Sequence, residues 1–453
     1  MYVETALRPD AQRRVREIRE ADIVVGIPTY KNARTIERVA HTAAEGVIRT
    51  FPGVKPVLVV ADGMSTDDTV RIANEMPLPH PTQKIVTLYQ GVMGKGSALR
   101  AIFEIARDLR ARACIVVDAD LRSITPHWIH QLATPILNGM YDFVAPYYSH
   151  HPHEVVINDL LAYPLIRALY GMDLRQPMGS EIGLSNELVN LLVERDVWET
   201  DVARFGIHIW MATLVINEGW RMCQATLGTR THDFKDPTVG FEPKFLQVVG
   251  TLFRTLSIYR RRWPKITSSR PVPLWDRLEA IEPEPIPAMQ EALRQACQKG
   301  ARRFRRSWGT ILSPTNLDAV ARVVARVEAS PRAQEAGKRA PGDSQERPKN
   351  GGNRLAGGEP QEAPFFPADL WAKVVFDFAV VYNKGEGDPD KVVMALLPLY
   401  YARKLSFIVE TEGMNYQDVE KVIQAQAEPF LSLKPGLLER WEAYLPWEST
   451  IIR

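Results

Sequence analysis

Asp118 and Asp120 follow directly on the apolar run Cys114-Ile115-Val116-Val117. Carboxylates two apart at a strand end can both reach into one crevice once the strand gives way to a loop. They repel each other, and a hard divalent cation relieves that repulsion. Mg²⁺ takes one or two carboxylates together with phosphate oxygens. Such a pair can therefore hold a nucleoside diphosphate and neutralise its charge as it departs. A solvated turn is the plain alternative, because Asp-x-Asp is common. The buried run before the pair and Leu121 after it favour the chemical reading.

Other residues could join that chemistry. Asp62 ends the run Val57-Leu58-Val59-Val60-Ala61, where an acid can accept hydrogen bonds from a ribose or a base, whereas Asp67 and Asp68 read as residues of a helix start. Lys95 lies in Gly94-Lys95-Gly96-Ser97 before a helical stretch, where a lysine beside a helix N-terminus can meet a phosphate. This is not a P-loop, since Gly96 stands where Ser or Thr should follow the lysine, and it is not a dinucleotide fingerprint either. Gln176-Pro177-Met178-Gly179-Ser180-Glu181 is a polar turn that could bind a hydroxyl or carboxylate through backbone amides, or simply join two helices. His232 could complete a metal site, because imidazole joins carboxylates readily. His150, His151 and His153 read as a solvated loop, and His208, in Gly206-Ile207-His208-Ile209-Trp210, as a packed core histidine.

The elements that must position these groups alternate in type. Short apolar runs at 23–27, 57–60, 84–89, 114–117 and 143–145 read as buried strands. Helical spacing occupies 10–19, 35–48, 66–73, 96–109 and the stretch opened by Thr125-Pro126. The alternation predicts a mostly parallel sheet with helices on both faces. Ligands of such sheets sit beyond the carboxyl ends of the strands. Thr29-Tyr30-Lys31, Asp62-Gly63-Met64-Ser65 and Asp118-Ala119-Asp120 lie at those ends and should converge. From Asn158 to Trp263 the pattern is mainly helical, with a strand at 222–227. Residues 265–328 read as helical and basic, and 330–364 as a disordered linker poor in large apolar groups. Helical periodicity returns from Phe365 to the C-terminus.

The 453 residues call for more than one core. A net charge of +2 offers no concentrated basic face for nucleic acid. Three cysteines, Cys114, Cys223 and Cys297, give no disulfide framework and fit a reducing cytoplasm. The start, Met1-Tyr2-Val3-Glu4-Thr5, lacks the pattern of a signal peptide, and no run reads as a transmembrane helix.

In order along the chain, Ile27-Pro28-Thr29-Tyr30-Lys31-Asn32, Asp62-Gly63-Met64-Ser65-Thr66-Asp67-Asp68, Gly94-Lys95-Gly96, Asp118-Ala119-Asp120-Leu121, Gln176-Pro177-Met178-Gly179-Ser180-Glu181 and Thr231-His232 resemble the motifs of GT-A nucleotide-sugar glycosyltransferases. The likeness is greatest to the retaining enzymes that make glucosylglycerate, glucosyl-3-phosphoglycerate and their mannosyl counterparts, and it runs from about Ala21 to Trp263. It implies a GT-A (Rossmann-like) catalytic domain over 1–263, with a nucleotide-sugar half at 21–150 and an acceptor half at 151–263. A helical extension (264–329), the linker and a helical C-terminal region (365–453) would follow. The last could serve dimerisation or regulation.

By that resemblance Pro28, Tyr30, Asp62, Asp118 and Ala119 would line the nucleotide site. Lys95 would approach the diphosphate, and Asp118, Asp120 and His232 would hold Mg²⁺ or Mn²⁺. Gly179, Ser180 and Glu181 would lie beside donor sugar and acceptor, with Asp120, Lys95 and Glu181 acting in catalysis. Three departures stand out. Tyr30-Lys31-Asn32 replaces an Asn-Glu-Glu common in relatives, and His208 stands where relatives carry an acid. Tyr163 precedes Pro164 where some have Arg, so that Arg167, one turn on, could anchor a carboxylate instead.

The implied enzyme is a metal-dependent hexosyltransferase. It would move glucose from GDP-glucose or UDP-glucose to D-glycerate with retention. The alternatives are a glucosyl- or mannosyl-3-phosphoglycerate synthase, a polysaccharide or lipid-linked sugar transferase, a phosphatase and a non-catalytic sugar-nucleotide binder. A haloacid-dehalogenase-type phosphatase is disfavoured by Arg122, which stands where Thr or Val should follow the second aspartate.

Overall fold

The computed structural model describes residues 5–149, 156–233, 236, 238–276, 283–284, 289–329 and 364–444. The strands are β1 (Ile23–Thr29), β2 (Pro56–Asp62), β3 (Gln83–Leu88), β4 (Ala113–Val116), β5 (Phe143–Ser149), β6 (Met172–Asp173), β7 (Ile182–Ser185), β8 (Met222–Thr229), β9 (Arg270–Pro271) and β10 (Leu274–Trp275). The helices of the first half are α1 (Pro9–Ile18), α2 (Ile36–Thr50), α3 (Thr69–Glu75), α4 (Lys95–Asp108), α5 (Pro126–Leu137), α6 (Tyr163–Tyr170), α7 (Asn186–Glu194), α8 (Ile207–Glu218) and α9 (Glu242–Ile258). Those of the second half are α10 (Gln290–Ile311), α11 (Pro314–Ala329), α12 (Ala368–Lys384), α13 (Pro389–Glu410), α14 (Tyr416–Ala425), α15 (Ala427–Ser432) and α16 (Lys434–Glu442).

Eight strands form one sheet in the order β10-β8-β5-β7-β4-β1-β2-β3. All neighbours are parallel except β7, which runs antiparallel to both β4 and β5. The expected mostly parallel sheet is therefore present. Every residue of β1, β2 and β4 is buried, as strands covered on both faces require. One apolar layer packs α2 and α5 on one face. The layer on the other face includes α4 and α6–α9 and continues without a break into α10–α16.

Three readings need correction. The segment after the polar turn is not helical: Ile182-Gly183-Leu184-Ser185 is β7, in the middle of the sheet. Four residues with a central glycine are too short to show a period of two. Gly183 sits there because a methyl group would collide with the Leu132 carbonyl of α5. The sheet also continues past residue 263, since β10 pairs with β8. Finally, α3 begins at Thr69, so Asp67 lies ahead of it and accepts hydrogen bonds from the Thr69 hydroxyl (2.6 Å) and backbone N–H (3.2 Å).

Contrary to the sequence reading, one helix among the described residues, α13, is long and apolar enough to cross a membrane. Yet 89% of that span is buried inside the protein, as for a core helix. The segment read as a linker and the loop with His150, His151 and His153 lie outside the described residues, save Pro364 at the linker's edge.

Candidate active site

The carboxyl ends of β1, β2, β4 and β8 open on a cavity of about 770 Å³. Pro28 and Tyr30 from the end of β1, Lys95 from the first turn of α4, Asp118, Ala119 and Asp120 after β4, and Ser180, Arg230 and His232 all line it. Tyr30 is one of the large apolar side chains left exposed, so its ring presents a face to this space.

Packing of the Lys95 loop explains its glycines. Gly96 N–H donates to the Arg204 carbonyl at 3.0 Å, and a side chain on Gly96 would collide with the Val202 carbonyl. Only glycine lets α4 start this close to the 201–204 turn. Gly94 N–H donates to the Tyr89 hydroxyl at 3.0 Å, which fixes the other side. Lys95 then reaches across the strand ends.

Lys95 Nζ donates to Asp118 Oδ1 at 2.5 Å and to Ser180 Oγ at 2.9 Å. Arg230, one residue past β8, donates from Nη2 to Asp118 Oδ2 at 3.2 Å and from Nε to Glu181 Oε2 at 3.4 Å. Its guanidinium also stands 5.7 Å from the centroid of the Tyr148 ring. The result is a chain of alternating charge, Lys95–Asp118–Arg230–Glu181, set almost entirely out of solvent. Burial pushes the Asp118 carboxyl up, but Lys95 and Arg230 more than offset it and hold it well below the usual carboxylate range. Glu181 is 0% exposed. Its burial outweighs the pull of Arg230, and the nearby Asp118 charge adds to the rise, so its carboxyl titrates above the usual range.

The loop carrying Asp120 is pinned from two directions. Arg38 donates to the carbonyls of Leu121 (2.6 Å) and Arg122 (2.7 Å). Leu121 pairs antiparallel with His232, Arg122 N–H donates to the Thr231 carbonyl at 2.8 Å, and Thr231 N–H donates to Ser123 Oγ at 2.9 Å. Asp120 and His232 are thereby stitched side by side on the cavity wall. His232 Nδ1 lies 2.9 Å from the Asp233 carbonyl. A carbonyl oxygen only accepts, so in that contact Nδ1 carries a proton.

Among the described residues no three His, Cys, Asp or Glu side chains are gathered closely enough to hold a metal ion. Of the three residues expected to hold a metal, Asp118 is engaged by Lys95 and Arg230, while Asp120 and His232 lie on the cavity wall. A carboxylate and an imidazole, completed by diphosphate oxygens, suit Mg²⁺ or Mn²⁺.

Three further expectations are corrected by geometry. Arg167 does not reach the cavity: its Nη2 donates to Glu428 of α15 at 2.6 Å, because one turn beyond Pro164 the helix face looks toward the C-terminal helices. Asp62 is 1% exposed and is absent from the cavity wall. Its carboxylate accepts from Thr29 Oγ1 (3.0 Å), Ser65 N–H (2.7 Å) and Ser65 Oγ (2.7 Å), so it shapes the loop behind the wall. Gly179 does not line the cavity either; a side chain there would collide with the Pro146 ring, and its role is close packing.

The reading of His208 as a packed core residue is also corrected. It is 7% exposed, but it lines the cavity, and neither ring nitrogen has a hydrogen-bond partner among the described residues. Burial, with Lys95 close by, lowers its pKa to about 3, so the ring is neutral. Arg230, Lys244, Lys404 and Phe205 are cavity residues that the sequence reading missed. Arg230 adjoins Thr231-His232 at a strand end, a position that marks it. Lys404 carried no local signal, since it sits on an apolar helix remote in sequence.

Residues 24–168 match Glycosyl transferase family 2. A comparison with curated proteins finds no match. Among solved structures the chain is similar to glucosyl-3-phosphoglycerate synthase from Mycobacterium tuberculosis. The complex of that enzyme with Mn²⁺, UDP-glucose and phosphoglyceric acid is 22% identical, with a TM-score of 0.42, over 56% of this chain and 86% of that one. The complex with Mg²⁺ and UDP is 21% identical, with a TM-score of 0.41, over 55% and 85%. The family match spans β1 to α6 and includes Lys95, Asp118 and Asp120, so this part of the chain is similar to glycosyl transferase family 2 and has the GT-A fold of such transferases.

Proposed function

We propose that the protein is a metal-dependent hexosyltransferase that moves glucose from a nucleoside diphosphate sugar to a hydroxyl of a small acid, D-glycerate, with retention. The observation that carries this reading is the pair of cations, Lys95 and Arg230, held on Asp118 beside Asp120 in one cavity. The sequence motifs supply the sugar and the acceptor.

Tyr30 would face the base and the Lys95 loop the diphosphate. A divalent cation on Asp120 and His232, when bound, would supply charge neutralisation at the diphosphate. Lys95 and Arg230 would stabilise the leaving group as the bond from the sugar anomeric carbon to the phosphate oxygen breaks, which is where electrostatic catalysis acts. The acceptor oxygen bonds the anomeric carbon through an oxocarbenium-like transition state. Its proton passes to the departing diphosphate on the same face, and retention follows. Asp118 and Glu181 would position the two cations without touching the reacting atoms. The three cysteines are buried and unpaired, which suits a reducing compartment.

Asp120→Ala should abolish transfer and metal-dependent nucleotide binding while leaving the thermal unfolding curve in place. Full activity of that variant in a chelator would contradict the proposal.

A further inference from the structure

The polar turn that carries Ser180 and Glu181 is tied to the C-terminal helical region through Arg175, the residue just ahead of it. Arg175 is buried, at 3% exposure. Its guanidinium forks onto Glu420 of α14, with Nε donating to Oε1 at 2.7 Å and Nη2 to Oε2 at 2.9 Å, while Nη1 donates to Asp159 Oδ1 at 2.8 Å. Asp159 lies in one π-helical turn, Asn158–Ala162, and the C-terminal helices hold that turn as well. Gln426, just after α14, donates from Nε2 to the Asp159 carbonyl at 2.9 Å and accepts from Arg403 Nη2 of α13 at 3.1 Å. Trp371 Nε1 of α12 donates to the Leu160 carbonyl at 2.7 Å. The π-helical turn in its turn holds the polar loop: Asn158 Nδ2 donates to the Arg175 carbonyl at 3.1 Å, and Asn158 Oδ1 accepts from the Met178 N–H at 3.4 Å. From the sheet side, Gln224 Oε1 of β8 accepts from the Arg175 N–H at 2.7 Å. A few residues on, Ser180 accepts from Lys95 and Glu181 from Arg230. A continuous path of polar contacts therefore runs from α14 to the two cations on Asp118. Two carboxylates and a guanidinium out of water join these layers at a desolvation cost that apolar side chains would avoid. What the two-pronged fork adds is direction.

We propose that Arg175 and Glu420 are positioning residues for transfer: through their fork the C-terminal helical region sets the 175–181 segment so that Ser180 and Glu181 hold Lys95 and Arg230 in place. Neither residue is among the described residues that line the cavity, so both act through others. The proposal rests on the hexosyltransferase reading and adds to it a role for helices that lie outside the family 2 match at 24–168. Glu420 is the member that can be changed without stranding a charge, because Arg175 keeps its ion pair with Asp159.

The test measures kcat and KM of the full-length chain with UDP-glucose or GDP-glucose as donor and D-glycerate or 3-phosphoglycerate as acceptor. The variants are Glu420→Gln, Arg175→Lys, Ser180→Ala and Glu420→Gln combined with Ser180→Ala. Glu420→Gln should lower kcat roughly tenfold, the effect of losing a charge-assisted hydrogen bond, with both KM values within about twofold of the wild type. Arg175→Lys keeps the charge but not the fork and should behave alike. Because Glu420 acts through the turn, adding Glu420→Gln to Ser180→Ala should cost much less than Glu420→Gln costs alone, whereas independent sites would multiply. Wild-type transfer with kcat unchanged in Glu420→Gln and Arg175→Lys would overturn the positioning role and leave the transferase reading intact. A double variant whose loss is the product of the single losses would do the same. Absence of wild-type transfer from every donor–acceptor pair would overturn both. Thermal melting of each variant separates a lost contact from a lost fold, and Arg175→Lys, alone and with Ser180→Ala, decides the matter if Glu420→Gln does not fold.

Discussion

The strand-end wall of the cavity and the helical wall facing it handle polar groups in opposite ways. On the strand-end wall the charges satisfy one another: Lys95, Asp118, Arg230 and Glu181 form one connected chain, with Ser180 at its end. On the helical wall His208 presents a buried ring whose two nitrogens have no hydrogen-bond partner among the described residues. A connected network is rigid and already tuned, as is needed where charge develops on a leaving diphosphate. An unsatisfied buried group has a cost that a ligand can remove. On the proposed transferase reading, the strand-end wall that would hold the donor is preorganised.

That contrast can be broken at defined points. The largest effect should come from Arg230→Ala, which strips the partner from buried Glu181. A destabilisation of about 3–5 kcal/mol in urea unfolding is expected, together with loss of transfer. Unchanged stability would mean that the strand-end network is not cooperative. Next, Lys95→Met should reduce kcat roughly 10²- to 10³-fold, with KM for the acceptor little changed. A loss confined to acceptor KM would move Lys95 to the other wall.

A smaller effect concerns pH. His208 is held near 3 in the folded protein against an ordinary value of 6.5, so below 6.5 the unfolded chain takes up a proton that the folded one refuses. Its contribution to stability is present above about pH 6.5 and is lost as pH falls toward 3. The slope is about 1.4 kcal/mol per pH unit. Unfolding of His208→Asn between those limits should show a shallower pH dependence than the wild type. Identical slopes would place the imidazole in water. The smallest effect is expected from Arg167→Ala, whose ion pair with the exposed Glu428 is worth at most about 1 kcal/mol and whose acceptor kinetics should stay within about twofold of the wild type.

The two walls also differ in how much of them could be read from sequence. The strand ends were legible because buried β-branched runs such as Val57-Leu58-Val59-Val60 stop abruptly at polar residues. Their loops converge whatever the details of packing. Asp118 and Asp120 were found in this way and His232 by its place after the strand at 222–227, whereas Lys95 and Ser180 came from the Gly94-Lys95-Gly96 loop and the polar turn at 176–181. What sequence could not show was the pairing within the cluster. Asp118 faces two cations because α4 and the end of β8 cross it, a relation set by the sheet order. The helical wall was opaque for a different reason. Lys404 lies among Leu399, Tyr400, Tyr401 and Leu405, where periodicity reports burial and is silent on which neighbour a charged tip will meet. His208 has the same problem: an apolar helix around a histidine looks alike whether the ring is packed or lines a cavity.

The most direct test of the transferase reading is nucleoside diphosphate release from UDP- and GDP-hexoses. Each donor would be mixed with D-glycerate or 3-phosphoglycerate and with Mg²⁺ or Mn²⁺. At least one donor–acceptor pair should release nucleoside diphosphate in a reaction that needs both the acceptor and the divalent cation, with a glycosylated acid as the second product. Absence of release from every pair would contradict it.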